Sequence, residues 1–198
     1  MKLIGEPMGV TWITYKTRST QIADPPTTEQ AIQIFEERVL GWQLYPARHM
    51  LVGDSSQGIS GIPHSGFASL SVMLSYFEMI HEYKMGKRSD GKSKAFFKAG
   101  VHDVFPSIDP SNPGSALVLD QLYSHLRCGL YHSAAARRGV LISDDETYPL
   151  AYDFDHSTLH INPHMLVDIL INHCKEYVAG LRVGGPDLGN FLNRSKLS

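Results

Sequence analysis

A chain of 198 residues with 42% hydrophobic content is long enough for one domain, and such a chain buries roughly 70% of its unfolded surface without staples. A formal charge of −2 excludes global electrostatics as the force that would bring it to nucleic acid, so any such binding must use a local patch. Two cysteines, Cys128 and Cys174, make no disulfide framework, and no apolar run approaches the ~20 residues that a membrane span needs. The N-terminus carries no signal-peptide pattern, so the thiols are expected to be reduced, and the protein cytoplasmic with no membrane partner.

Residues 1–26 read as irregular or extended, with Val10, Trp12, Ile13 and Tyr15 suited to a short strand before Pro25-Pro26. Thr27, with Gln30 three residues on, is a capping box. Ala31, Ile32, Phe35, Val39 and Leu40 follow at helical spacing, and Gly41 supplies a stop, which predicts a helix over 28–40. Gly53, Ser55, Ser56, Gly58, Ser60, Gly61 and Pro63 crowd the next stretch, so 41–65 reads as loop and 1–65 as an N-terminal arm with one helix. A glycine-rich phosphate cradle is excluded there, because the strand–loop–helix context and the Gly-Lys-Ser/Thr ending are both missing.

A helix is predicted over 66–85, with Leu70, Met73, Leu74, Phe77, Ile80 and Tyr83 as its apolar stripe and Gly86 as its end. Asp90-Gly91 marks a turn within 87–92, and a third helix covers 92–105. Lys84, Lys87, Arg88, Lys92, Lys94 and Lys98 concentrate here against Asp90. They read first as a solvated helix end and loop and second as a local patch for RNA or DNA. Asn112-Pro113 opens a long helix over 114–138, with Leu119, Leu122, Leu126 and Leu130 on its core face and Gly139 as its stop. The stretch 140–161 is β-rich and predicts a small antiparallel hairpin or meander. Asn162-Pro163 opens a last helix over 163–182, closed by Gly184-Gly185, and 186–198 reads as a flexible tail. The expected fold class is mainly α, a helical bundle with a small β element between its last two helices.

The fourth helix holds the concentrated chemistry, in Leu122 to Gly139, LYSHLRCGLYHSAAARRG. His125, Cys128 and His132 fall within about 60° of one another on a straight helix. They are zinc-ligand types, but three ligands from one straight helix cannot wrap a tetrahedral ion unaided. Cys128 packing as a small hydrophobe is the plainer account, and no metal or cofactor is expected. Arg127 supplies a positive fork for phosphate, and His132 a group that moves a proton near neutrality. Together they suffice for metal-free RNA cleavage. On a straight helix they point about 140° apart, so they would converge only where two copies of the helix meet across a two-fold axis, with Gly129 permitting the approach. From spacing alone the pair is ordinary helix surface. Tyr131, four residues after Arg127, shares its face and suits base stacking or core packing alike. Glu78 and His81 are candidates to face the same cleft from the second helix. His102, His156, His160 and His164 read as surface.

Arg127-x4-His132 on the penultimate long helix of a small helical domain resembles the HEPN superfamily, whose signature is Arg-x(4–6)-His. LYSHLRCGLYHSA is similar to a recurring "(F/Y)Y-x-x-(V/L)RCGL-(L/Y)H" pattern of a bacterial HEPN-like subgroup. INPHMLVDILINHCKEYVAGL, with its Asn-Pro start, and SVMLSYFEMIHEYKMGK are similar to other helices there. The resemblance covers roughly residues 66–182 and marks 66–185 as a HEPN-like domain. It implies a helical bundle, commonly a homodimer, in defence, toxin–antitoxin or stress systems. Carried over, Arg127 would bind the scissile phosphate and His132 would be the acid/base, with Tyr131 and Glu78 as accessory candidates. Active members usually have Asn or Asp directly after the arginine, where this chain has Cys128. Two readings follow. One is a metal-independent ribonuclease; the other is a non-catalytic dimer that binds RNA, a nucleotide or a protein partner.

Overall fold

Thr27 opens the first helix as a capping box should, with Gln30 N–H donating to Thr27 Oγ1 at 3.2 Å and Thr27 N–H donating to Gln30 Oε1 at 3.0 Å. The computed structural model describes residues 10–13, 19–23, 25–133 and 135–196. Ahead of the cap, β1 (Val10–Ile13) pairs antiparallel with β2 (Ser19–Ile22), while Tyr15 lies outside the described residues. The helix α1 (Thr28–Glu36) does not stop at Gly41. It runs on through a π-helical segment, Glu37–Leu44, into α2 (Tyr45–Val52). Val39, Leu40, Gly41, Leu44 and Ala47 are all buried, so tertiary packing overrides the glycine. The wider turn also accommodates Pro46, since Tyr45 N–H already reaches back five residues to the Leu40 carbonyl.

The stop lies at Gly53, whose φ of 76° requires glycine. The expected loop therefore begins only there, and β3 (Gly53–Asp54) pairs with β4 (Ile59–Ser60) inside it. The predicted helix over 66–85 is α3 (Gly66–Met73) and α4 (Ser75–Met85), joined at Leu74 and ended by Gly86 at φ 68°. Asp90 at φ 32° and Gly91 at φ 77° turn the chain into α5 (Ser93–Val104). The two helices meet at backbone distance, since a Cβ on Gly100 would lie 1.7 Å from the Phe77 carbonyl oxygen.

Asn112 caps α6 (Pro113–Gln121) by accepting the Gly114 N–H at 2.9 Å. A second π-helical segment, Leu122–Arg127, leads into α7 (Cys128–Ser133). The helix ends there rather than at 138. The chain folds back on it, with Arg137 N–H donating to the His125 carbonyl at 3.0 Å and Ala135 N–H to the Gly129 carbonyl at 3.4 Å. A Cβ on Gly129 would stand 2.6 Å from the Ala135 oxygen. Gly129 thus admits this chain's own return segment, not a second copy of the helix.

The β element is a sheet of β5 (Val140–Ile142), β6 (Leu150–Asp153) and β7 (Thr158–Ile161) in the order β5-β7-β6. It is not wholly antiparallel. β6 pairs antiparallel with β7, but β5 runs parallel to it, Val140 opposite Leu159. The connection 143–149 crosses between them and is pinned by Asn162 Nδ2, which donates to the Asp144 and Glu146 carbonyls at 3.0 and 2.8 Å. Asn162 Oδ1 also caps α8 (Pro163–Arg182). The stretch expected as a tail holds α9 (Leu188–Ser195), whose Phe191 is fully buried against Phe35 and Tyr83. Ile32, Phe35, Leu40 and Leu44, from the expected arm, belong to the same core as Phe77, Leu122, Leu170 and Phe191. The structure is mainly helical, and no helix among the described residues is long and apolar enough to cross a membrane.

Gly100→Ala is expected to cost about 1–2 kcal/mol net, because over-packing against backbone, at the upper end of ~1–3 kcal/mol for a contact this close, outweighs the ~1 kcal/mol gained in helix propensity. Urea unfolding measures it, and an unchanged midpoint would refute the close α4–α5 packing.

Candidate functional site

Tyr123, Arg127 and Tyr131 lie four residues apart along the π segment and α7. The Arg127 guanidinium carbon stands 5.3 Å from the Tyr123 ring centre and 5.1 Å from that of Tyr131. The stack is open at one end, since Tyr131 is 55% exposed. Across from it, α4 contributes Glu78, whose Oε2 accepts the Arg127 Nη2–H at 3.0 Å. Ser93 Oγ donates to the same oxygen at 2.6 Å, and Ser89 Oγ to Glu78 Oε1 at 2.7 Å. Arg127 and Glu78 are 22% and 18% exposed, so the pair sits at the floor of the surface rather than in the core. Among the described residues, Arg127 Nε is buried without a hydrogen-bond partner.

The turn between α4 and α5 is tied down from both sides. Ser89 N–H donates to Glu82 Oε1 at 2.8 Å, and the other Glu82 oxygen takes Arg194 Nε and Nη2 at 2.9 and 2.6 Å. Burial pushes the Glu82 carboxyl up, but the hydrogen bonds and charge of Arg194, with help from Ser89, hold it below its ordinary value. Lys87 and Lys92 flank Ser89 and are exposed. The rest of the basic cluster is divided. Lys84 pairs with Asp103, Lys94 and Lys98 share Asp120 at 2.6 and 2.8 Å, and Arg88 is engaged as well.

Of the residues singled out in the sequence, Arg127, Tyr131 and Glu78 come together. His132 is exposed, and among the described residues its side chain makes no hydrogen bond or ion pair. Among the described residues no hydrogen bond or ion pair joins it to Arg127. His81 is occupied elsewhere, bonded to Asp103 at 2.8 Å and lying edge-on to Phe96. His125 is bonded to the Arg138 carbonyl at 3.0 Å, and Cys128 is half-buried. Among the described residues no three histidine, cysteine or carboxylate side chains are placed to hold a metal ion, so His125, Cys128 and His132 do not form the zinc set. Tyr123, Ser89, Ser93, Glu82 and Arg194 went unread. Tyr123-x3-Arg127-x3-Tyr131 was a visible signal for the first; the serines carried none.

Two open grooves, of about 550 and 690 Å³, lie elsewhere, one between residues 61–67 and 142–145 and one between α2 and α8. Neither is lined by Arg127, Tyr131 or His132. No family model matches the chain, and no curated protein or solved structure matches it either. The geometry at Arg127 can hold an anion and stack a ring, and among the described residues its guanidinium hydrogen-bonds to Glu78 and to no histidine.

Glu82 and Arg194 are only 12% and 13% exposed, so removing one charge leaves the other poorly solvated. Glu82→Gln should cost about 1–3 kcal/mol near neutral pH, the worth of a hydrogen bond to a charged group. A depressed carboxyl contributes stability above its unfolded pKa and loses it as pH falls through the folded one. The gap between wild type and variant should therefore narrow below roughly pH 4.3, the ordinary value for Glu. Thermal melts across that range decide it, and a gap independent of pH would count against the ion pair.

Proposed function

We propose that this chain is a HEPN-like cytoplasmic protein that binds single-stranded RNA at the α7 face without cleaving it. The observation that carries the reading is the Tyr123–Arg127–Tyr131 stack, half-open at Tyr131, with exposed Lys87 and Lys92 on the α4–α5 turn whose Ser89 holds Glu78. A half-exposed aromatic ring beside a guanidinium suits an unpaired base and its phosphate, whereas duplex bases have no free face to offer. The exposed lysines supply the local positive field that the net charge of −2 does not.

Binding rather than cutting is favoured by three features. Arg127 is already paired with a carboxylate, exposed His132 makes no hydrogen bond to it among the described residues, and Cys128 replaces the polar residue usual in active HEPN members. As the resemblance implies, the working unit is a homodimer, its contact now owing nothing to Gly129. Light scattering that gives a single chain at every concentration would remove the dimer and leave the site.

The test is fluorescence anisotropy with a labelled single-stranded RNA in EDTA. Tyr131→Ala should weaken binding by roughly 5- to 150-fold, the worth of one stacked base at ~1–3 kcal/mol. Arg127→Ala should weaken it about tenfold or more, and both effects should persist while the RNA stays intact. Strands that end in 2′,3′-cyclic phosphate, and that disappear with His132→Ala, would instead make the protein a ribonuclease. Absence of binding to varied RNAs sinks the reading.

A further inference from the structure

Glu78 holds Arg127 in an unusually weak way for an arginine–carboxylate pair. Such pairs are commonly two-pronged, with both carboxylate oxygens on the guanidinium fork. Here one nitrogen meets one oxygen, Nη2 to Oε2 at 3.0 Å, and Arg127 Nε is left buried without a partner. Ser89 Oγ takes Glu78 Oε1 at 2.7 Å, and Ser93 Oγ shares Oε2 at 2.6 Å, so the carboxylate is turned away from the fork. The same serines give Glu78 somewhere to stay when Arg127 leaves, because two hydroxyls still satisfy it. Removing a partner from a buried charge is costly only where nothing else solvates it.

We infer that Glu78 is a built-in competitor for Arg127, a displaceable carboxylate that a ligand phosphate must replace, and that Ser89 and Ser93 set how easily it yields. The inference rests on the RNA reading for its ligand but not for its test. A phosphate oxygen takes the place of Glu78 Oε2 on Nη2. Glu78 remains on the serines. The affinity of the site is therefore set by the difference between the two anions, and the protein binds more weakly than its arginine and tyrosines would allow.

Opposite shifts distinguish this from a merely structural role. Glu78→Gln keeps the serine contacts and removes the competing charge, so RNA should bind about tenfold more tightly in the anisotropy assay. Ser89→Ala and Ser93→Ala free the carboxylate to close on the guanidinium fork, so binding should weaken by a few-fold. In an Arg127→Ala background all three changes should have no effect. Melting curves show which variants keep the fold, and the serine variants serve if Glu78→Gln does not. Inorganic pyrophosphate is the second probe, titrated while the Arg127 Nε resonance is followed by NMR. Its half-saturation should fall about tenfold in Glu78→Gln whether or not RNA is the ligand. If RNA fails to bind but pyrophosphate behaves this way, the RNA reading falls and the competitor stands. If Glu78→Gln leaves both affinities unchanged or weaker, or pyrophosphate never perturbs Arg127, the competitor is overturned.

Discussion

Among the described glycines, Gly100 leaves the least room for a Cβ, 1.7 Å from the Phe77 carbonyl oxygen, and this close packing sets the surroundings of the site. With no Cβ at position 100, α4 and α5 pack at backbone distance, and side chains that project between them are brought within hydrogen-bond range. Asp103 on α5 reaches His81 and Lys84 on α4, both at 2.8 Å. Burial pushes the Asp103 carboxyl up, yet those two partners together hold it below its ordinary value. Ser93, at the start of α5, meets Glu78 by the same spacing. A wider helix pair would leave Glu78 to swing onto Arg127 with both oxygens, and the site would be an ordinary salt bridge.

The second constraint is the pair of π-helical segments. Four residues advance a regular helix by about 40° beyond a full turn, so a row spaced by fours drifts off its face. Leu122, Leu126 and Leu130 are spaced by fours and all buried, and the wider turns of Leu122–Arg127 keep them facing the core. Tyr123, Arg127 and Tyr131 are one residue on and are kept in a row by the same means, which is what lets the guanidinium lie over both rings. The first π segment does a different job. Glu37–Leu44 carries the chain across Gly41 and into Pro46 without breaking a helix whose burial the core requires.

Local chemistry was legible wherever a side chain acts on its own neighbourhood. The caps at Thr27, Asn112 and Asn162 and the left-handed end at Gly86 all sit where the residues imply. What was hidden depended on distant partners. Gly41 reads as a stop because nothing local shows that its surroundings are buried. Phe191 is one aromatic in a short polar stretch, and only Phe35 and Tyr83, far away in sequence, make it a core residue. The parallel setting of β5 depends on a crossover that Asn162 holds while it also caps α8, and one residue doing two jobs leaves no periodic trace. The site divides the same way. The row through Arg127 and Tyr131 could be read along one helix, and Glu78 was placed near it, but Ser89 and Ser93 enter only because a turn folds back.

Two arginine–glutamate pairs bracket that turn, and their difference is informative. Arg194 sets both Nε and Nη2 on one oxygen of Glu82, stacks its guanidinium 5.1 Å from the Tyr83 ring centre, and is nearly sealed from solvent. Arg127 puts one nitrogen on Glu78, is more exposed, and leaves Nε unsatisfied. The same residue types, joined through Ser89, thus form a firm bond and a loose one. The firm bond fixes α9 to the turn and fixes Ser89, through its own N–H, on Glu82. Only with Ser89 immobile can its hydroxyl hold Glu78 off the arginine fork. The looseness at Arg127 is therefore not a defect of packing but a consequence of rigidity one residue pair away.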